Sequence, residues 1–258
     1  KTLDTSGLRP LTGISLALLL LQAGNGWPGT QASFTTQLSF GNQVGITLVG
    51  IVLGITLMAL GLGLLGALAH TWLGDEPRSG TPGLWVGLAL GALVIGVSRI
   101  LPEFGPGGPP SWPAYGGAVA FLPWASTALE TLVGFLVLTV AGLLVVATLQ
   151  RLLGTRWSWT TMIVLLLIGL SLAPNPPGQS WWLWMLEGGV VGAVTGLFWL
   201  ACRRLGWAVI PGAAGAVFFL GAAQTGLQQP FPGATFGALL GVMGVALAAR
   251  VWTRALLP

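Results

Sequence analysis

Apolar residues in this chain come in long runs, separated by clusters of Pro, Gly and Trp. Crossing about 30 Å of hydrocarbon takes about 20 consecutive apolar residues in a helix. The runs lie at 10–23, 44–73, 84–101, 124–153, 160–173, 182–204, 207–225 and 234–255. None alternates with period two, as the strands of a membrane barrel must. The pattern therefore predicts an all-α fold, a polytopic transmembrane helical bundle of seven or eight spans, with 1–258 as a single membrane domain. Run 44–73 would be about 45 Å long as a helix, so it must tilt or protrude. Runs 10–23 and 160–173 are short. The first either crosses under strain or lies partly in the interface.

Charge placement tests this threading. With the sides numbered from an inner start, Arg78, Arg151, Arg156, Arg203, Arg204, Arg250 and Arg254 all fall on one side. Lys1 and Arg9 join them if the first run crosses, and only Arg99 falls opposite. A cytoplasmic excess of Lys and Arg orients membrane proteins, so the expected site is the bacterial inner (cytoplasmic) membrane with both termini in the cytoplasm. The loops on the other side, such as "PEFGPGGPPSWPAYGG" and "PNPPGQSWW", are nearly uncharged and stiffened by proline. They read as span connectors with Trp at headgroup level, or as a docking surface for a partner.

Composition agrees with lipid as the main solvent. Charged residues are 6% of the chain and hydrophobic ones 54%, with a mean hydropathy of +0.85. Soluble domains carry about 25% charged residues. The net charge of +4 comes from scattered basic residues, so no nucleic-acid surface is expected. One Cys, Cys202, precludes an internal disulfide, and one Cys with one His precludes a zinc cage built from those ligands. No metal site and no catalytic residues are assigned: a lone histidine supports no serine triad, and no phosphate-cradling glycine motif opens a helix. Cys202 stands beside Arg203 and Arg204, in a setting suited to an inert thiol or an acylation site. The chain opens on Lys1, which reads as a processed protein or part of a longer one.

Glycine recurs four residues apart inside the runs, at Gly50 and Gly54, at Gly188, Gly192 and Gly196 with Gly189 beside them, and at Gly237 and Gly241. Gly212 and Gly215 follow Pro211. Such spacing cuts a groove along one helix face, where a neighbouring helix, a lipid tail or a flat pigment can approach the backbone.

Two groups of residues are candidate sites. Glu130 and Glu187 lie one to two turns inside their runs, and Arg99 lies near the end of its own, with Glu103 just beyond. All fall at similar depth on the uncharged side. An intramembrane charge faces the bundle interior and finds a partner. One reading is an Arg99 pair with Glu130 or Glu187 that holds helices in register. The other is a proton or cation site with Gln224 and Thr225 near it in depth, although no run is broken at midplane and the halves show no repeat. The second group is His70, with Gly66 one turn before it and Trp72 after. It reads as a headgroup-level histidine, as an axial ligand to haem or a chlorin with Gly66 clearing room for the ring, or as a proton relay. The small-x-x-x-His pattern followed by Trp resembles that of bacterial light-harvesting polypeptides, which implies bacteriochlorophyll or chlorophyll.

The stretches "LMALGLGLLGALAHTWL" and "SWPAYGGAVAFLPW" resemble hydrophobic regions of bacterial membrane proteins of the CPBP (CAAX-protease and bacteriocin-processing) family. The resemblance covers about a third of the chain and implies a helical membrane fold. That family's catalytic signature is a Glu-Glu-x-x-x-Arg helix with two histidine-bearing helices. This chain has no adjacent glutamates and one histidine, so no catalytic role carries over to any residue.

These readings lead to a non-catalytic membrane subunit that scaffolds or borders a larger photosynthetic or respiratory complex. Its partners would be membrane lipids and other membrane protein subunits, with lipid or pigment in its grooves. The alternatives are a proton- or cation-coupled transporter and a degenerate CPBP-type intramembrane protease relative.

Overall fold

The computed structural model describes residues 8–73, 81–100, 116–153, 159–172, 181–228, 231 and 233–255. Among them every long element is helical: α1 (Leu8–Asn25), α2 (Trp27–Ala32), α3 (Phe40–Leu73), α4 (Thr81–Ile100), α5 (Pro123–Leu153), α6 (Trp159–Leu172), α7 (Trp181–Leu205), α8 (Val209–Gln228) and α9 (Ala234–Ala255). A 3₁₀ turn, Gly116–Val119, precedes α5. Five of these helices, α3, α5, α7, α8 and α9, are long and apolar enough to cross a membrane. At about 51 Å and 46 Å, α3 and α5 exceed the thickness of the hydrocarbon.

Proline marks where helices start. Pro10, Pro28, Pro82, Pro123 and Pro211 each fall within the first three residues of α1, α2, α4, α5 and α8. There the missing N–H has no intrahelical acceptor to lose, and the fixed φ suits the first turn. This explains α2, which forms inside a segment that reads as a turn-rich connector. Gly206 takes φ 78° as α7 ends, and its N–H bonds the Cys202 carbonyl at 2.9 Å. A left-handed glycine closes a helix without Cβ strain.

The chain divides into two compact units. Unit 1 comprises Lys1–Gly74, Trp112–Leu144 and Gly221–Ala248; unit 2 comprises Asp75–Ser111, Val145–Leu220 and Ala249–Pro258.

In unit 1, α1 packs on α3 through Leu19, Ile55 and Ala59, with Leu16, Ala23, Ile51 and Val133 around them. α9 lies on α5 with its glycines at the contact. A methyl group added at Gly237 would collide with the Trp124 carbonyl oxygen, and one at Gly241 would stand 3.0 Å from Thr131 Cβ. Trp124 meets the Phe236 ring edge-on at 5.6 Å. Gly226 faces Ala238, and Thr235 Oγ1 donates to the Gly226 carbonyl at 3.0 Å.

In unit 2, α4 meets α8 at Gly87 and Gly91. A methyl at either would run into the carbonyl oxygens of Val209 and Ala213, and Gly212 presses back against the Leu84 carbonyl. α7 packs on both α4 and α6. Gly169 abuts the Gly188 carbonyl and the Gly192 amide, and Trp184 Nε1 donates to the Leu170 carbonyl at 3.0 Å.

Several threonines within the helices turn to their own backbone. Thr71, Thr131, Thr139 and Thr195 each donate to the carbonyl four residues earlier at 2.7–2.8 Å. This satisfies a hydroxyl where water is scarce. Gln43 caps the start of α3 by bonding Thr35 N, Thr35 O and Leu38 O at 2.7–2.8 Å.

Asn25 ends α1 with a three-bond clamp on the approach to α5. Its Nδ2 donates to the Leu122 carbonyl at 3.0 Å, its Oδ1 accepts from Leu122 N at 2.8 Å, and its carbonyl accepts from Phe121 N at 2.9 Å. Asn25→Ala keeps only the backbone bond. At about 1 kcal/mol net for bonds of this kind, it should lower the stability of unit 1 by about 1–2 kcal/mol, read as a downward shift in thermal unfolding of the detergent-solubilised protein.

Candidate functional site

The charged residues picked out from sequence divide between the units. Glu130 belongs to unit 1 and is exposed, its Oε1 accepting from Ser126 Oγ one turn earlier at 3.3 Å. Glu187 belongs to unit 2 and is completely buried, at 0% exposure, and it is not without a partner. Arg99 stands in the last turn of α4, a helix packed on α7 in the same unit. The side chains of Arg99 and His70 lie outside the described residues, as do Arg78, Glu103 and Arg156.

Glu130 departs from the expectation that an intramembrane charge faces inward. Its position explains this: it is seven residues from the start of a helix about 46 Å long, so about 10 Å of helix separates it from the end. A carboxylate on an overlong helix can stay near the headgroups. Glu187, also near a helix start, is instead closed in by the bundle.

His70 lies in the last turn of α3. Gly66, expected to clear room for a flat ring, is occupied from the other side. A methyl added there would stand 2.6 Å from Leu11 Cδ2 of α1. Gly66 therefore seats α1 on α3, and the space beside it is filled by leucine. Among the described residues no three His, Cys, Asp or Glu side chains gather to hold a metal ion.

The glycine run Gly188, Gly189, Gly192 and Gly196, whose spacing marks a groove along one helix face, does border open space. Along α7, where it leaves its tight contact with α6, an apolar groove of about 470 Å³ opens. Leu165 and Leu166 of α6 form one wall. Gly189, Gly192, Ala193 and Gly196 form the floor, and Leu197 and Leu200 continue along α7. The groove exists because the two faces of the glycine run differ. A methyl at Gly188 or Gly192 would press into Leu170 or Leu165, whereas one at Gly189 would meet nothing within 4 Å. The first pair joins the helices; Gly189 leaves space beside them.

Basic residues close this end of α7. The Arg203 guanidinium lies 5.0 Å over the Trp199 ring, and Arg204 is exposed. Cys202, just before them, is 2% exposed, so its thiol is closed off in the fold.

No family model matches the chain, and no curated protein or solved structure matches it either. The likeness to CPBP proteins thus stands on two apolar stretches alone.

Chemically, the groove can take an apolar chain and offers no nucleophile, base or metal ligand along its lining. Glu187 is a separate matter, a buried acid in a span. Altering a fully buried polar side chain that has a partner leaves that partner poorly matched. Glu187→Gln should therefore lower folded yield and destabilise the protein by about 2 kcal/mol or more. Glu130→Gln, at an exposed site, should change stability by less than about 0.5 kcal/mol. Parallel purification and thermal melts of the two variants check this difference.

Proposed function

We propose that this chain is a non-catalytic integral membrane subunit that borders a larger membrane assembly and holds lipid along α7. In this reading it threads the bacterial inner membrane seven or eight times, with both termini in the cytoplasm. The five long apolar helices and the one-sided arginines support that threading.

The observation that carries the proposal is the outer face of α3. Its hydrophobic window is 22% buried, against 33–56% for the other long apolar helices. α1 covers one side. The other side presents Val49, Val52, Leu53 and Leu57 at 57–70% exposure, with Gly50 and Gly54 open between them. A glycine pair four apart on an uncovered apolar helix is the arrangement by which a helix from another subunit approaches closely in lipid. Among the described residues, nothing lies within 4 Å of a methyl built at either glycine.

A proton- or cation-coupled transporter is the second reading, favoured by the fully buried Glu187 within a span. It requires a substrate flux that Glu187→Gln abolishes while folded yield is unchanged.

The test of the first reading is native electrophoresis after extraction of the source membrane in mild detergent. The wild-type chain should migrate with a large complex. A Gly50→Leu, Gly54→Leu double variant should fold, because both sites have open space, yet run free of that complex. A wild-type chain that migrates alone, or a variant that stays with the complex, overturns the proposal.

A further inference from the structure

We infer that the α6–α7 groove is a site for one acyl chain of an anionic glycerophospholipid, its phosphate held at Arg204. This rests on the reading that the chain holds lipid along α7, and adds the class of lipid and the residue that selects it.

Three observations meet here. The first is lining chemistry: the groove is walled by leucine and floored by glycine and alanine, with no charged side chain along it. Such a lining suits a saturated hydrocarbon and gives a polar ligand no hydrogen bond.

The second is length and place. From Gly189 to Leu200 the helix rises about 16 Å, close to the roughly 15 Å depth of one leaflet's hydrocarbon. The groove runs from the middle of α7 toward the end that carries arginine. An acyl chain lying along it would have its carboxyl end at Leu200 and its methyl end near Gly189, close to the middle of the bilayer.

The third is charge. Arg204 follows Leu200 by four residues and Leu197 by seven, so it shares their helix face and stands one turn beyond the groove's end. It is exposed, while its neighbour Arg203 is drawn over the Trp199 ring. A guanidinium at that height presents a fork of donors to a phosphate, and Arg203 adds positive potential beside it. A zwitterionic headgroup carries its own cation and gains less from this arrangement than an anionic one.

Native mass spectrometry of the purified full chain, titrated with phosphatidylglycerol or with phosphatidylcholine of identical acyl chains, tests the inference. Wild type should retain one phosphatidylglycerol at about fivefold lower lipid concentration than phosphatidylcholine. Arg204→Gln should retain both lipids at the phosphatidylcholine concentration. Gly189→Leu places a side chain into the groove from a position where an added Cβ meets nothing within 4 Å, so it should keep wild-type helicity and elution volume yet lose the retained lipid of either kind. Wild-type retention by Gly189→Leu, or an undiminished preference in Arg204→Gln, overturns the site. Because association with a larger complex is read separately at Gly50 and Gly54, loss of this site with co-migration intact leaves the subunit reading standing, and the converse leaves the lipid site standing.

Discussion

Inside a bilayer, apolar side chains gain nothing by leaving lipid for one another, so helices need a different reason to associate. This chain supplies it through backbone contact at glycine. Gly87 and Gly91 meet the carbonyls of α8, Gly169 meets the backbone of α7, and Gly237 meets the Trp124 carbonyl at the start of α5. At each point one hydrogen in place of a side chain lets two helices touch along their main chains. Dispersion contacts then accumulate at closer range than leucine would permit. In unit 2 the α6–α7 pair rests on such crossings at Gly169, Gly188 and Gly192, whereas in unit 1 Gly66 of α3 receives the Leu11 side chain of α1.

The same constraint governs polar groups. Without water, a hydroxyl or an indole N–H gains from an acceptor nearby, although Thr12 Oγ1, Ser15 Oγ and Trp207 Nε1 are buried with no hydrogen-bond partner among the described residues. Thr131 and Thr139 bond back along their own helix, and Trp184 reaches across to the end of α6. Glu187 costs more to bury than any of these and is the residue whose enclosure is hardest to account for by packing alone. Where glycines are not consumed in joining helices, they leave usable surface. Gly189 gives the groove its floor, and Gly50 and Gly54 leave α3 open to approach.

Much of the helical architecture could be read from the runs of apolar residues, because length and hydropathy are properties of a segment alone. Helix starts were legible at proline once its place in the first turn is considered; α2 at Pro28 shows how the same residue misleads when treated only as a helix breaker. The use of each glycine was not legible. Gly50–Gly54 and Gly237–Gly241 have identical spacing, yet the first pair faces open space and the second is pressed onto α5. Spacing fixes which residues share a face, while the neighbour on that face is decided by the tertiary fold. Gly87 and Gly91 carried the same signal in "GLALG" and proved central to unit 2. Gly66 likewise has a neighbour that spacing does not announce, the Leu11 side chain of α1.

The central claim, that glycine-mediated backbone contact holds each unit together, is tested most directly by a series of single Gly→Ala substitutions melted in one detergent or nanodisc. Alanine is favoured over glycine within a helix by about 1 kcal/mol, so a change that does nothing else should stabilise slightly. The account predicts that Gly50→Ala and Gly54→Ala melt at or just above the wild-type temperature, while Gly87→Ala, Gly169→Ala and Gly237→Ala each melt several degrees below it. Equal melting temperatures for the two sets would contradict it.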